Sequence, residues 1–528
     1  MGGVGQFNEY NVFIPGRSRP VVKVALVHPS TYQASITNLF THIAYYYIYN
    51  RLGVNKVLVD RFTLDNVCEG AVTGLPLSRF DIALVTVAFE LDIINFIKFL
   101  IDNRINPFKK KRVKGPILIA GGPALMANPE PVIDLVDAIF IGDGEAFLKT
   151  LADTIETCNG DKQCVLMNLC DVKDGIYLGG GGGNVVRKSI ISNLDDAFFP
   201  TYQIRPETIR PVYGDGFYVE SSRGCKWLCP FCLESYISYP PRHRSMSKLK
   251  RLIEEGTSNL RVRRTVLYSL SFFDHPNSVE LLEWLHSNNY GFSLPSVRFD
   301  TLSRKKIDLI ALGGQRTVTV APETPCPELS CRLHKCFKLE DLLDLCTYVI
   351  EKKLNLKLYF MLGIPGEERP EEKIVEFIRN MISRARPARR EQIRVTINPL
   401  IPKAHTPFQY FPLISKSEYE QKITFLRNTL NPLGVRVNVY GWRWAFAQAL
   451  IGLAGRDISK LLVTWALKGG GLASLKTVIR EVDYDFSYVF KYKNLNYEFS
   501  WNKVVLGLED VIESEASAFL QIISGHTR

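Results

Sequence analysis

The stretch Gly224-Cys225-Lys226-Trp227-Leu228-Cys229-Pro230-Phe231-Cys232 places three thiols at the spacing Cys-x3-Cys-x2-Cys. It follows a β-type run at 217–221 and precedes a predicted helix over 246–255. Three thiols on one turn can converge on a single inorganic centre. A tetrahedral zinc site would need a fourth protein ligand, and the next cysteine is the distant Cys326. Three soft thiolates without a fourth suit an iron–sulfur cluster that keeps one iron open.

This cysteine spacing, with the aromatic Phe231 just before the third cysteine, resembles the signature of the radical S-adenosylmethionine (radical SAM) superfamily. The resemblance implies that Cys225, Cys229 and Cys232 hold a four-iron four-sulfur cluster whose open iron binds S-adenosylmethionine. It also implies reductive cleavage of that cofactor to a 5′-deoxyadenosyl radical, with electrons from an external donor of the ferredoxin or flavodoxin type. From the residues alone, a zinc knuckle and three unrelated core thiols remain alternatives.

Length and composition indicate a globular protein of two or three domains. The chain has 528 residues, of which 46% are hydrophobic and 23% charged. It contains no apolar run long enough for a membrane span, and residues 1–20 lack the apolar core of a signal peptide. Eleven cysteines without such a signal predict reduced thiols and metal chemistry. We therefore expect a cytoplasmic protein.

The net charge of +11 includes basic clusters at 109–112, 261–264 and 384–394. Such a balance favours contact with polyanions, including nucleic acid and acidic membrane surfaces. No nucleic-acid-binding motif accompanies the clusters, so each is interpreted first as solvated surface.

Residues 21–157 alternate strand-like and helix-like segments, with five predicted strands and helices over 31–52 and 91–103. This alternation predicts an α/β fold, in which a doubly wound parallel sheet binds ligands at the carboxyl ends of its strands. Two predicted strand ends carry glycine-rich loops, 120–123 and 142–145. Glycine there lets backbone N–H groups approach a ligand closely.

These loops, placed ahead of the cysteine motif, resemble the cobalamin-binding-like domain at the front of many radical SAM enzymes. The resemblance implies cobalamin as a further cofactor, in contact with Gly121, Gly122, Gly142, Gly144 and Glu145. One departure leaves cobalamin binding open: domains that ligate cobalt through histidine carry Asp-x-His-x-x-Gly after the first strand. This chain has His28 there without the Asp or the Gly, so a packed histidine is the favoured interpretation.

A connector follows, with Cys158, Cys164 and Cys170 predicted as free thiols and the five glycines of 179–183 as a hairpin tip. From about 209 to 412 the chain alternates again, with strands predicted over 217–221, 266–271, 293–298, 316–321, 355–362 and 393–399. Six units are too few for the closed eight-fold barrel. They resemble the open (β/α)6 barrel of radical SAM cores.

Polar residues at the carboxyl ends of these strands are the candidates for binding S-adenosylmethionine, because a barrel builds its site there. Ser269 and Ser271 stand where many family members have Gly-Gly-Glu, so the expected glutamate is missing. The resemblance implies cofactor contacts at Phe231, Ser269, Ser271, Arg298, Glu323, Lys335, Gly363, Pro365 and Gly366. Two roles are open for Arg298: binding a carboxylate, or forming a salt bridge with Asp300.

Cys326, Cys331 and Cys336 follow Glu323 at five-residue spacing. A second cluster is one interpretation. Five-residue steps do not share one helix face, so free thiols are favoured.

The final part is predicted as a small α+β domain with a short sheet within 482–501. The sequence thus divides into a cobalamin-binding-like domain (1–165), a hairpin and linker (166–208), a radical SAM core (209–412) and an accessory domain (413–528).

The function expected is radical SAM chemistry on an unidentified substrate, most simply a cobalamin-assisted methylation or related C–H functionalisation. The alternatives are cobalamin-independent methylthiolation or carbon–carbon bond formation on RNA, lipid or peptide, and a non-catalytic, zinc-stabilised nucleic-acid-binding protein.

Overall fold

The computed structural model describes residues 5–14, 20–172, 174–179, 185–389 and 391–525. The strands of its first part are β1 (Glu9–Tyr10), β2 (Val22–Val27), β3 (Val57–Phe62), β4 (Ile82–Thr86), β5 (Ile117–Gly121), β6 (Ala138–Phe140), β7 (Ile176–Tyr177) and β8 (Val186–Arg187). The helices among them are α1 (Tyr32–Ser35), α2 (Leu39–Leu52), α3 (Asp92–Asp102), α4 (Pro123–Ala127), α5 (Gly144–Cys158) and α6 (Lys162–Cys170).

The first sheet has the order β3-β2-β4-β5-β6-β7. The first five of these strands run parallel, and β7 is antiparallel to β6. Such strands are apolar because helices cover both faces of the sheet, as the fully buried β6 illustrates. The five predicted strands are confirmed. The single helix expected over 31–52 is two helices: α1 ends at Ser35, and a new helix begins after Asn38, whose side chain caps the N-terminus of α2.

The predicted hairpin around the glycine run is wrong. β7 pairs with β6 in the first sheet, whereas β8 pairs in parallel with β19 (Val504–Val505) from the end of the chain. The two flanking strands therefore belong to different sheets. The predicted tip, 180–183, lies outside the described residues.

The strands that follow are β9 (Arg205–Pro206), β10 (Phe217–Glu220), β11 (Ser222–Arg223), β12 (Arg242–His243), β13 (Arg264–Tyr268), β14 (Gly291–Ser293), β15 (Thr317–Glu323), β16 (Asn355–Leu362), β17 (Ile393–Pro399) and β18 (Arg436–Val439). The accompanying helices are α7 (Leu233–Ile237), α8 (Met246–Leu260), α9 (Ser278–Ser287), α10 (Arg304–Leu312), α11 (Pro327–Arg332), α12 (Leu339–Glu351) and α13 (Pro370–Ala385).

These strands form an open barrel wall of two parallel sheets, β10-β13-β14 and β15-β16-β17-β18. A parallel bridge between Val297 and Val320 joins them. Five of the six predicted strands are present. In place of the one predicted over 293–298, the structure has β14, which shares only Ser293 with it. The wall continues beyond residue 412. After α14 (Lys416–Leu430), β18 pairs in parallel with β17 and forms the seventh strand of the wall.

The last part of the chain is mostly helical, with α15 (Trp442–Gly452), α16 (Ser459–Leu467), α17 (Leu472–Val482) and α18 (Glu509–Gly525). The short sheet predicted within 482–501 is wrong, because this segment contains a 3-10 turn at Ser487–Phe490. Its aromatic residues pack against α15, where Phe490 stacks on Trp442 and Phe446.

The C-terminal helices return to the first sheet. α16 packs on α3, and the side chain of Asn128 donates to the carbonyls of Gly452 (3.1 Å) and Ala454 (2.8 Å). α18 lies beside the barrel, where Phe519 contacts Phe408 and Phe411. Among the described helices, none combines the length and apolar character needed to cross a membrane.

Candidate active site

The loop that carries the three cysteines begins directly after β11. Gly224 starts it with a φ of 83°, and a Cβ atom there would lie 2.5 Å from the carbonyl oxygens of Ser238 and Pro240. Only glycine fits this close approach. Leu228 also adopts a left-handed conformation, and the hydroxyl of Tyr236 donates to its carbonyl at 2.8 Å. The loop is therefore fixed by its own backbone and by α7.

Cys225 and Cys229 are buried, Cys232 is half-buried, and none of the three is in a disulfide. Burial raises the pKa of each thiol, which favours the protonated form, so binding of a metal centre would release protons from them. Within the described residues, no three His, Cys, Asp or Glu side chains converge as the ligands of one metal ion would. A four-iron cluster does not require this convergence, because each thiolate binds a different iron. The three free thiols on one rigid loop fit such a cluster.

A charged and aromatic frame surrounds the loop. The guanidinium of Arg298 lies 4.0 Å from the ring centroid of Trp227, and its Nη1 donates to the sulfur of Cys229 at 3.2 Å. The indole of Trp227 donates to Asp274 at 2.6 Å. Asp274 also pairs with Lys226 at 3.3 Å. Trp227 and Asp274 could not be predicted from the sequence, because their contacts join the cysteine loop to residues that follow other strands.

Glu323, Lys335 and Phe231, predicted separately, lie together. The ammonium of Lys335 is 2.6 Å from Glu323, donates to the carbonyl of Ala321 at 2.7 Å and lies 5.3 Å from the Phe231 ring centroid. Glu323 adopts a left-handed φ of 67° where β15 shifts its register with β16. This irregularity turns its side chain towards the cysteine loop.

The turn after β16 contains Gly363 and Gly366, with φ values of 91° and 79°, and the buried Pro365. Glu367 follows. Its Oε1 accepts from the hydroxyl of Thr324, and its Oε2 is buried without a partner among the described residues. Burial raises the pKa of Glu367 to about 7.

Ser269 and Ser271 form a turn after β13, in which the Ser269 hydroxyl accepts from the Ser271 N–H at 3.2 Å. The buried Ser271 hydroxyl has no partner among the described residues. Neither serine lines the two cavities described below.

A cavity of about 340 Å³, here called the barrel-mouth cavity, opens beside Phe231 and Glu323. Opposite them, Lys403 pairs with Glu90, which also accepts from Gln448 at 2.9 Å. The full lining is Phe89, Phe231, Glu323, Tyr359, Met361, Asn398, Pro399, Leu400, Ile401, Lys403, Tyr440 and Gln448. It thus combines the first sheet, the barrel and α15, and the sequence could not have revealed the Glu90–Lys403 pair across 313 residues.

A second cavity, here called the front cavity, has a volume of about 290 Å³ and lies at the carboxyl ends of β4, β5 and β6. All five residues predicted for this region, Gly121, Gly122, Gly142, Gly144 and Glu145, line it. Most of its wall is apolar: Leu39, Phe40, Ile43, Leu84, Ile119, Met126, Phe140 and Phe147. These glycines were expected to let a ligand approach the backbone, and Gly122 has a different role. A Cβ atom on Gly122 would meet the Val87 carbonyl at 2.5 Å, so this glycine accommodates neighbouring backbone.

Arg223 connects the front cavity to the cysteine loop. It lies one residue before Gly224 and contacts Asp143 (3.2 Å), Glu145 (2.7 Å) and Glu220 (2.8 Å). Burial alone would raise the pKa of Asp143, but Arg223 and Arg242 outweigh it and hold that pKa below its ordinary value.

His28 lies at the carboxyl end of β2 and does not line the front cavity. It borders a cavity of only about 10 Å³, and its Nδ1 has no partner among the described residues. Burial lowers its pKa to about 4, so the ring is neutral. This is the environment of a packed histidine.

The prediction of free thiols elsewhere is wrong for four cysteines. Cys158 is joined to Cys164, and Cys331 to Cys336. In each pair, one turn of chain brings the two sulfurs together. Cys326 and Cys170 are free. The Cys331–Cys336 disulfide leaves no set of three thiols beside Glu323, which argues against the second cluster.

Comparison with known proteins gives a consistent picture. Residues 69–178 match the family model of the N-terminal region of radical SAM proteins, and residues 219–378 match that of the radical SAM superfamily. The chain is 29% identical over 449 residues to the uncharacterized protein MJ0966 of Methanocaldococcus jannaschii, which covers 84% of this chain and 91% of the relative.

Solved structures of TsrM from Kitasatospora setae, a radical S-adenosylmethionine methyltransferase, share the fold. The structure with tryptophan substrate and a SAM analog covers 88% of this chain and all of its own, with a TM-score of 0.53 and 12% identity. The structure with cobalamin and a [4Fe-4S] cluster covers 87% of this chain and 99% of its own, with a TM-score of 0.54 and 11% identity. At these identities the likeness shows the fold alone.

The motif, the open barrel and the matched family models agree on one assignment. The chain belongs to the radical SAM superfamily, whose cofactors are a four-iron four-sulfur cluster and S-adenosylmethionine.

Proposed function

We propose that this radical SAM enzyme binds cobalamin in its first domain and catalyses methyl transfer, or a related C–H functionalisation, on a substrate held in the barrel-mouth cavity. When bound, the cluster and S-adenosylmethionine supply a carbon-centred radical, and cobalamin supplies a methyl group. The domains proposed are 1–165, 166–208, 209–412 and 413–528. Two of these limits are crossed by a sheet, because β7 extends the first sheet and β18 extends the barrel wall.

The front cavity carries the proposal. It is apolar, it lies where sheets of this order bind their ligands, and its volume suits one bicyclic ring system rather than a whole corrinoid. The benzimidazole tail of cobalamin is such a ring system. His28 is buried beside a separate small cavity, so binding is proposed without a histidine ligand to cobalt. TsrM, which shares the fold, was solved with cobalamin bound.

In this proposal, different residues of the chain have different roles. Cys225, Cys229 and Cys232 hold the cluster, while Glu323, Lys335 and Gly363 to Gly366 surround S-adenosylmethionine. The Glu90–Lys403 pair and Phe89 line the far side of the barrel-mouth cavity, where they would contact a bound substrate.

Cobalamin binding is tested by filling the front cavity at its mouth. Ala88 is exposed and lines this cavity, so Ala88→Trp blocks the cavity without disturbing the core. We expect the wild type to retain cobalamin, measured by its visible absorption after gel filtration, and Ala88→Trp to lose at least nine-tenths of it.

Ala473→Trp is the matched control, because Ala473 is an exposed alanine of α17 that lines neither cavity. It should bind like the wild type. A wild type that takes up no cobalamin would refute the methyl-transfer proposal and favour cobalamin-independent chemistry.

The cluster is tested separately, in oxygen-free preparations. Cys229→Ala should lose both iron and the release of 5′-deoxyadenosine from S-adenosylmethionine under reductant. Cys331→Ser should retain the iron content of the wild type, because Cys331 is in a disulfide rather than a cluster. Zinc without iron in the wild type would instead support a zinc-stabilised binding protein.

A further inference from the structure

Arg298 contacts a predicted cluster ligand directly. Its Nη1 lies 3.2 Å from the sulfur of Cys229, and the residue is 9% exposed. The guanidinium also lies over the ring of Trp227, from the same loop, with 4.0 Å between its central carbon and the ring centroid. A guanidinium stacked on an aromatic face has a fixed plane, so the N–H group stays aimed at the sulfur.

The remaining donors of Arg298 are committed elsewhere. Nε donates to Oδ1 of Asp300 at 3.0 Å, and Nη2 donates to Oδ2 of Asp300 at 2.6 Å and to the carbonyl of His334. With the bond to Cys229, four of the five N–H donors of the guanidinium are therefore engaged. This arrangement leaves too few donors for a bidentate grip on the carboxylate of S-adenosylmethionine, the role considered from the sequence.

We propose that Arg298 tunes the reduction potential of the iron–sulfur cluster by donating an N–H to the sulfur of Cys229. Asp300 sets the strength of this effect by offsetting the charge of the guanidinium. The inference rests on the radical SAM assignment and is independent of cobalamin binding.

The sign of the effect follows from charge. Reduction adds an electron to the cluster, and a positive, hydrogen-bonded neighbour stabilises the reduced form more than the oxidised form. Burial strengthens the interaction, because little water screens it. Arg298 therefore raises the midpoint potential, and Asp300 lowers it by offsetting part of the charge.

The measurement is the midpoint potential of the reconstituted cluster, followed by electron paramagnetic resonance during an anaerobic redox titration without substrate. For Arg298→Met we expect reduction to become at least tenfold less favourable, a shift of about 59 mV to lower potential for one electron. For Asp300→Asn, which keeps Arg298 and the size of its partner, we expect a shift to higher potential.

Arg456→Met is the matched control. Arg456 makes the same forked contact with Asp134, donating through Nε (2.8 Å) and Nη2, but on the far surface of the first domain. Its midpoint should equal that of the wild type.

An unchanged midpoint in Arg298→Met or in Asp300→Asn would overturn the proposal. If Arg298→Met takes up no iron, the midpoint potential of Asp300→Asn alone tests the proposal. A wild type that binds no iron would instead refute the family's cofactor assignment for this chain, a failure distinct from an unchanged midpoint.

Discussion

Replacing Arg223 should break the connection between the front cavity and the cysteine loop. The side chain is 18% exposed, and its three acidic partners are between 5% and 11% exposed. Arg242 would still pair with Asp143, and Arg244 with Glu220. Glu145 is ion-paired to Arg223 alone among the described residues, so Arg223→Met leaves it buried and uncompensated.

The expected loss is about 3–5 kcal/mol in the free energy of unfolding, the cost of removing one partner from a buried pair. The loss depends on pH. A buried carboxylate without a cation is penalised only while it carries its charge. The penalty is therefore larger at alkaline pH than in acid, where protonation removes the charge.

Urea unfolding at pH 8 and pH 5, followed by tryptophan fluorescence, measures both effects. Arg223→Met should be less stable than the wild type at both pH values, with the larger deficit at pH 8. Adding Glu145→Gln to the variant should restore part of the stability at pH 8, because the amide carries no charge.

Arg51→Met is the control. Arg51 also bridges two carboxylates, Asp153 (3.2 Å) and Glu156 (2.9 Å), but it is 44% exposed. Exposed pairs contribute about 0–1 kcal/mol, so its loss should be small and nearly independent of pH. An equal loss for Arg51→Met and Arg223→Met would refute the argument from burial.

Two further predictions concern packing and pH. Gly256→Ala should lower the free energy of unfolding in urea by about 1–3 kcal/mol, because a Cβ atom there would collide with the Phe217 ring. Gly471→Ala is the control: no atom lies within 4 Å of its Cβ position, so its effect should be near zero, and equal effects of the two variants would contradict the prediction. Burial lowers the pKa of His28, His42 and His405 to about 4, so stability should fall as pH drops from about 6.5 to 4 while the unfolded chain takes up protons. His405→Asn, which tolerates the left-handed backbone at this position, should flatten that fall; an unchanged pH profile of the unfolding free energy would contradict it.

Local patterns predicted much of the fold. The five parallel strands of the first sheet are short, mostly apolar runs between turn residues, most of the barrel strands are apolar or alternating runs, and the cysteine loop is continuous in sequence. Helix boundaries were less accurate where a side chain starts a new helix, as Asn38 does for α2. The seventh barrel strand, β18, was missed because 436–439 contains two polar residues and its partner β17 lies beyond α14.

The site was predictable only where its residues carry the family's motif. The glycines of the front cavity and the trio of Phe231, Glu323 and Lys335 were found in this way. The contacts between elements could not be predicted, because their partners are far apart in the sequence. Arg223 and Glu145 are 78 residues apart, and Arg298 and Cys229 are 69 residues apart. The predicted glycine hairpin was wrong for the same reason, because the partner of β8 is supplied from the end of the chain.

The return of the C-terminal helices to the first sheet constrains the order of assembly during synthesis. Asn128 donates to the carbonyl of Gly452, which lies 324 residues later in the chain, and β8 can pair only after β19 has been synthesised. The N-terminal half emerges from the ribosome before residues 452–505 are synthesised, so its packing stays incomplete until they have also emerged. We therefore expect metallocofactor delivery to follow the synthesis of these segments.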